Sequence, residues 1–301
     1  MNFRYGSFFK VFRKIAKYIL AMIYPVIIRI YPLPKVRSID ETLDKLIEDK
    51  LSICRFGDGE FLYIIDQLNL PFQRQIPELR FKMIEILNSD ESSILVGLPI
   101  GYHSLSNLKR HSKLTWKSQI VWIYPRLKKY LPINKVFYNA SMTRLYMNYD
   151  DNSKSSKYFE KVMRLWQNRD VVLIEGEKSR LGVGNNLFNL SSSVERILGP
   201  AHNAYDKYED LIEEAKKQSK EKLILVAMGP TAKVIVYELA KVGYQAIDIG
   251  NLDVEYEWYL RGATTKVKIP GKYTSEAKGG RIVEDLINED YYSQIIKDLS
   301  N

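Results

Sequence analysis

The sequence predicts an α/β protein of Rossmann-like type, a mainly parallel sheet with helices on both faces, preceded by a basic amphipathic helical arm. Three observations predict it. From residue 38 onward, strand-like and helix-like hydrophobic patterns alternate. Several strand patterns, at 171–174 and 223–226, are continuous apolar runs, as expected of strands buried on both faces. Polar loops bearing glycine follow the strand patterns, where open parallel sheets bind their ligands.

Taken in order, the arm comes first. Its 37 residues carry Arg4, Lys10, Arg13, Lys14, Lys17, Arg29, Lys35 and Arg37 and no acidic residue, nearly the whole of the formal charge of +9. The apolar stretch at 18–28 is interrupted by Pro25 and is shorter than the roughly 20 residues that span a bilayer. No small-x-small cleavage site follows Pro34. This pattern predicts a segment lying on an anionic membrane face, the alternative being a helix packed on the protein body or on a partner subunit. Ser38 and Glu41 have capping-box spacing ahead of Leu43, Leu46 and Ile47, so the body begins near residue 38. Without internal repeats or a low-complexity linker, the chain divides into an arm, 1–37, and one catalytic domain, 38–301.

Within the body, strands are predicted at 51–56, 93–98, 135–139, 170–175, 222–228 and 245–249. Helices are predicted at 79–87, 115–130, 157–167, 205–218 and 231–241. The lone cysteine, Cys54, excludes a disulfide framework and a cysteine-built zinc site, and favours the cytosol. The positive charge suggests an anionic partner, but no zinc-finger, RNP or KH pattern accompanies it, so nucleic acid is not expected. His103, His111 and His202 lack metal-ligand spacing, and no G-x-S-x-G elbow is present.

Four loops carry the candidate chemistry. The first reads Arg55-Phe56-Gly57-Asp58-Gly59-Glu60. In an extended chain two carboxylates at i and i+2 share one side, suiting Mn2+ or Mg2+ completed by substrate phosphate oxygens, with Arg55 on a phosphate or holding a carboxylate in place. The alternative is a turn in which Glu60 caps the next helix. The second, 176–186, offers Lys178, Ser179 and Arg180 among glycines as phosphate donors, or is a structural glycine turn. The third runs Met228-Gly229-Pro230-Thr231-Ala232-Lys233, a helix start able to bind an anion or simply to cap. The fourth carries Asp253, Glu255 and Glu257 beside Tyr256 and Trp258. An extended chain aligns the three carboxylates, whereas a helix brings Asp253 beside Glu257. A polar pocket with aromatic stacking on sugar or base and Asp253 or Glu255 as base is the functional reading; a solvated acidic face is the alternative.

Together, Arg55–Glu60, 179–185, 229–232 and 248–258 resemble the ordered motifs of GT-D-fold bacterial glycosyltransferases, over roughly residues 38–290. The resemblance implies a Rossmann-like fold, a UDP-sugar donor, Asp58 and Glu60 for metal and donor binding, and work on surface polysaccharide or glycoconjugate. Asn251 stands where related sequences can carry His. The expected function is metal-assisted hexosyl transfer to a saccharide acceptor, which a lipid can carry, by a protein peripheral on the inner membrane face. Rival expectations are a metal-dependent phosphohydrolase of nucleotide or sugar phosphates and a non-catalytic membrane-associated assembly protein.

Overall fold

A computed structural model describes the backbone of residues 3–301 and the side chains from Phe12 onward; the arm's Arg4 and Lys10 side chains lie outside the described residues. The long helix α1 (Phe3–Ile30) leads to α2 (Ile39–Glu48), β1 (Ser52–Arg55), α3 (Asp58–Asp66), α4 (Pro77–Asn88) and β2 (Ile94–Leu98). Next come α5 (Arg110–Leu127), β3 (Tyr138–Asn139), α6 (Ser155–Met163), β4 (Asp170–Gly176), β5 (Ser193–Gly199) and α7 (Tyr208–Lys216). The chain closes with β6 (Leu223–Ala227), α8 (Thr231–Lys241), β7 (Ala246–Asp248), α9 (Leu252–Leu260), α10 (Glu289–Ser293) and β8 (Ile295–Asp298).

The strands form one sheet in the order β3-β2-β1-β7-β6-β4-β5-β8, with every described pairing parallel. Alternate residues of the central strands serve opposite cores, which explains their unbroken apolar runs. Val172, Ile174, Ile224 and Val226 point to a cluster with residues of α4, α5, α7 and α8. Val171, Leu173, Leu223 and Leu225 point the other way, to a cluster with residues of α2, α6 and α9.

The capping box of α2 forms as the spacing predicts. Ser38 Oγ accepts from the Glu41 amide at 3.1 Å and Glu41 accepts from the Ser38 amide at 2.9 Å. Leu43 and Leu46 are thereby turned fully inward. Two strands depart from expectation. β5 carries Glu195 and Arg196 where an apolar run would mark a strand, and β8 is a short, largely exposed edge. The Arg196 guanidinium is buried, pairing with Glu175 of β4, donating to the Leu181 carbonyl at 2.9 Å and stacking over Tyr291. Helix α1 packs along α5 and sets Tyr24 and Ile28 against the first core cluster.

Candidate active site

A cavity of about 910 Å3 opens at the C-terminal edge of the sheet. Its walls come from the segments after seven of the eight strands, including 55–60 after β1, 140–144 after β3, 227–229 after β6 and 248–251 after β7. Parallel strands release the chain on one edge with their loops converging, which is why ligands collect there. Helix α5 closes one side with His111, Ser112, Thr115, Trp116 and Gln119, and the irregular segment 264–276 closes another.

The floor is a chain of alternating charges. Arg55, at the end of β1, donates through Nε to the Asp248 carbonyl, through Nη1 to Ala140 O at 2.8 Å and to Thr143, and pairs through Nη2 with Asp248 Oδ1 at 3.1 Å. Lys233, from α8, lies 2.8 Å from Glu60 and 3.4 Å from Asp248, with its side chain 3% exposed. Burial alone would lower the Lys233 pKa, but Glu60 and Asp248 raise it; burial likewise opposes, and Lys233 outweighs it in lowering, that of Glu60. Gly250, at φ +46°, leaves room for this floor, because a Cβ there would run into the Arg55 guanidinium.

Asp58 and Glu60 occupy the first turn of α3, not an extended chain. Glu60 accepts from the Gly57 amide at 3.0 Å, so it caps the helix and also faces the cavity. The capping alternative for this motif therefore holds, at a residue that also lines the cavity. Asp58 is differently placed: it accepts from Gln119 Nε2 at 2.5 Å and makes no ion pair among the described residues. Burial, then the neighbouring Glu60, raises its pKa. Across the cavity Glu276 accepts from Asn251 Nδ2 at 2.9 Å and pairs with Arg144 and Lys266. Burial opposes the shift, but these two cations hold the Glu276 pKa down to about 2.

These groups bear on the expected cation. Among the described residues no three His, Cys, Asp or Glu side chains converge as an all-protein metal cage. The donor set instead fits Mn2+ or Mg2+ arriving with a diphosphate, since such ions take one or two carboxylates and complete their shell with phosphate and water. Asp58 makes no ion pair among the described residues and is the more open of the two carboxylates; Glu60 already has Lys233.

The remaining predicted site residues divide. Phe56, Gly57, Lys178, Ser179 and Gly229 line the cavity with Arg55, Asp58 and Glu60. Gly229 sits at φ +56° against Phe72, where a Cβ would approach the ring to 2.7 Å. Arg180 does not reach the cavity; its Nη1 donates at 2.8 Å to the Gly271 and Glu284 carbonyls, tying the segment after β4 to the C-terminal part. Thr231 is fully buried at the start of α8.

The fourth motif requires the largest correction. It forms α9, the helical alternative, and its carboxylates turn away from the cavity. Asp253 accepts from the Gly182 amide at 2.9 Å, Asn185 at 2.7 Å and Lys272 at 2.7 Å. Glu257 shares Asn185 and Lys272 with it, at 2.8 and 3.2 Å. Glu255 is fully buried and accepts from the Tyr146 and Met147 amides, at 3.1 and 3.0 Å. Burial raises its pKa. Tyr256 donates to Asn186 at 2.7 Å and Trp258 to Val267 O at 2.9 Å, and both rings are buried away from the cavity lining, so neither is free to stack on a ligand there. These side chains hold the loops that build the cavity and none of the three carboxylates lines it, although Glu255 lies 3.7 Å from Arg144, which does.

Sequence reasoning missed Lys233, Asp248, Arg144, Glu276 and Gln119. Lys233 ends the third motif, one turn beyond Gly229, and Asp248 opens the segment 248–258, whereas Arg144, Glu276 and Gln119 come from elements distant in sequence. His103 donates to or accepts nothing in the cavity, its Nδ1 lying 2.8 Å from the Val36 carbonyl, whereas His111 is at the wall. Tyr273 also lines the cavity, with a buried hydroxyl that has no hydrogen-bond partner among the described residues.

Comparison with known proteins places the chain in context. Residues 53–277 match the family model described as Glycosyltransferase GT-D fold. The chain is 36% identical over 268 residues to "Probable glycosyl transferase Gly" of Streptococcus gordonii, covering 88% of this chain and 39% of that protein. It is equally identical, over 268 residues, to "Glycosyltransferase GlyD" of Streptococcus pneumoniae serotype 4, covering 89% of this chain and 33% of that one. It thus spans between a third and two fifths of the length of these curated relatives. A solved structure described as a new glycosyltransferase from Streptococcus sanguinis superposes with a TM-score of 0.83 at 35% identity, covering 88% of this chain and 99% of that one.

Proposed function

Because the chain belongs to the GT-D-fold glycosyltransferase family, we propose that it moves a hexosyl group from a UDP-sugar to a saccharide acceptor. The observation that carries this reading is the meeting of Asp58 and Glu60 with Lys178, Ser179 and the Gly229 turn in one cavity at the C-terminal edge of the sheet. Carboxylates able to share a cation stand there beside groups that donate to phosphate.

In the transfer, the bond between the sugar C1 and the β-phosphate oxygen breaks with its electron pair leaving on the diphosphate. An acceptor hydroxyl oxygen bonds to C1 as its proton passes to water, which balances the step against the released UDP. Asp58 and Glu60 would hold Mn2+ or Mg2+, which supplies charge neutralisation for the leaving diphosphate. Lys178 adds a positive charge and Ser179 a hydroxyl donor on the same side. Lys233 and Arg55 keep Glu60 and the 248–251 turn in place, so the site need not reorganise as charge develops. Tyr273 offers its unpaired hydroxyl to a substrate oxygen. Arg144, Glu276, Lys266 and Trp116 form the far wall, suited to saccharide hydroxyls and a pyranose face. The acceptor belongs to surface polysaccharide or glycoconjugate and is carried on lipid at the inner face of the cell membrane.

Isothermal titration of UDP into the protein, with and without Mn2+, tests the donor site. Manganese-dependent binding that disappears in Asp58→Ala supports it. Equal UDP binding with and without the metal, or no UDP binding at all, rejects it.

A further inference from the structure

The outer side of α1 is apolar, and no other described residue covers it. Tyr24 and Ile28 turn inward onto the core. On the opposite side lie Phe12, Ile15, Ile19, Met22, Val26 and Ile30, spaced three or four residues apart and therefore stacked in one stripe along the helix. Each is more than half exposed, Met22 reaching 79%. A surface helix of a water-bathed domain needs one apolar stripe, facing its core; α1 has two.

The charge around the stripe has one sign. Residues 1–37 hold eight basic and no acidic residues, and residues 92–149, which include α5, hold nine basic and no acidic residues. These exceed the net charge of +9, so the rest of the chain is net acidic. Three of the cations line the seam between the helices. Lys17 Nζ donates to Thr115 Oγ1 at 2.5 Å, Lys117 lies 5.7 Å from the Tyr24 ring centre, and Lys128 lies 5.5 Å from that of Tyr31. No described helix is long and apolar enough to cross a membrane.

We propose that the α1–α5 face is a docking surface for an anionic lipid bilayer. Helix α1 lies in the membrane plane with its outer stripe at the acyl boundary, while Arg13, Lys14, Arg29 and the seam lysines meet the headgroups. Long lysine and arginine stems suit that depth, their apolar part in the boundary and their charge in the headgroup layer. A second copy of the chain fits less well, because two such faces would oppose like charges. Thr115 also lines the cavity, so the docked surface lies one helix away from it. That placement brings a lipid-borne acceptor within reach, a consequence that rests on the glycosyltransferase reading; the docking itself does not.

The test uses the full chain and flotation with vesicles of phosphatidylcholine containing phosphatidylglycerol, against phosphatidylcholine alone. Expected is co-flotation with the anionic vesicles only, weakening as salt rises because screening shortens the reach of the charges. The double variant Ile19→Asp with Met22→Asp, both at exposed positions, should lose at least about tenfold in vesicle affinity, the effect of withdrawing two apolar side chains from the boundary. Unchanged vesicle binding by that variant overturns the proposal. So does absence of vesicle binding with a dimer in sedimentation velocity that the variant dissociates, which assigns the stripe to a second copy. UDP-induced thermal stabilisation, measured on both proteins, reads the donor site separately. Equal stabilisation without vesicle binding sinks the docking surface alone, and vesicle binding without UDP stabilisation sinks the donor reading alone.

Discussion

Replacing Lys233 by methionine removes the cation that two carboxylates share. The ammonium is 3% exposed and lies 2.8 Å from Glu60 and 3.4 Å from Asp248, whose side chains are 16% and 4% exposed. Methionine fills similar volume, so the cost comes from leaving buried charge uncompensated, about 3–5 kcal/mol. Arg55 still pairs with Asp248, which places the main deficit on Glu60 and the expected loss near the lower end, about 3 kcal/mol. Urea unfolding of wild type and Lys233→Met measures it. Adding Glu60→Gln should recover about 1 kcal/mol or more, since the orphaned charge is then gone, and the double-mutant cycle gives the coupling. The pH dependence has a fixed sign. Lys233 has a raised pKa, so its contribution is full below the ordinary 10.5 and is lost as pH climbs through the raised value. Glu60 has a lowered pKa, so its contribution is full above the ordinary 4.5 and fades as pH falls through the lowered value. The mutant deficit is therefore flat across neutral pH and shrinks in acid. A loss below about 1 kcal/mol at pH 7, or a deficit that grows in acid, refutes the reasoning.

Three other outcomes follow from the same geometry. The raised Asp58 pKa means that a cation competes with a proton there, so manganese-assisted UDP affinity should weaken as pH falls through that value, and in Asp58→Asn the remaining UDP affinity should lose this dependence; titration calorimetry at several pH values checks both. Asp253→Asn breaks the buried pair with Lys272 and should cost about 3 kcal/mol in urea unfolding, while kcat per folded molecule stays within about threefold of wild type; a kcat loss of about a hundredfold or more without destabilisation would restore Asp253 as the base. Gly250→Ala forces a Cβ toward the Arg55 guanidinium at a positive φ and should cost about 1–3 kcal/mol with weakened UDP binding, read by thermal shift with and without UDP; wild-type behaviour in both counts against the charged floor.

What could be read from the residues follows their local chemistry. β4 and β6 were legible because both of their faces are buried, which writes an unbroken apolar run into the chain. β5 was not, because Arg196 is an interior residue whose charge is answered by Glu175 from another strand, and a paired interior charge looks like a surface one in sequence. β8 is an exposed four-residue edge with little pattern to show. At the site, Asp58 and Glu60 were found because glycines and a preceding strand frame them. Lys233 was not, since a lysine on a helix ordinarily faces water and only the fold places Glu60 and Asp248 around it. Asp253, Glu255 and Glu257 misled for the complementary reason: three carboxylates beside aromatics suggest a pocket, and their partners, Lys272, Asn185 and the Tyr146 and Met147 amides, come from distant segments. Helical period did predict that Asp253 and Glu257 would sit side by side, and they share Asn185 and Lys272.

Glycosyl transfer from a UDP-sugar at the Asp58 cavity is read out by a turnover assay. Purified protein is incubated with a panel of UDP-hexoses, Mn2+ and saccharide acceptors, and the products are resolved by mass spectrometry. Expected is UDP release matched by an acceptor one hexose heavier, abolished in Asp58→Ala. Release of sugar phosphate or inorganic phosphate with the acceptor unchanged, or transfer that persists undiminished in Asp58→Ala, would contradict it.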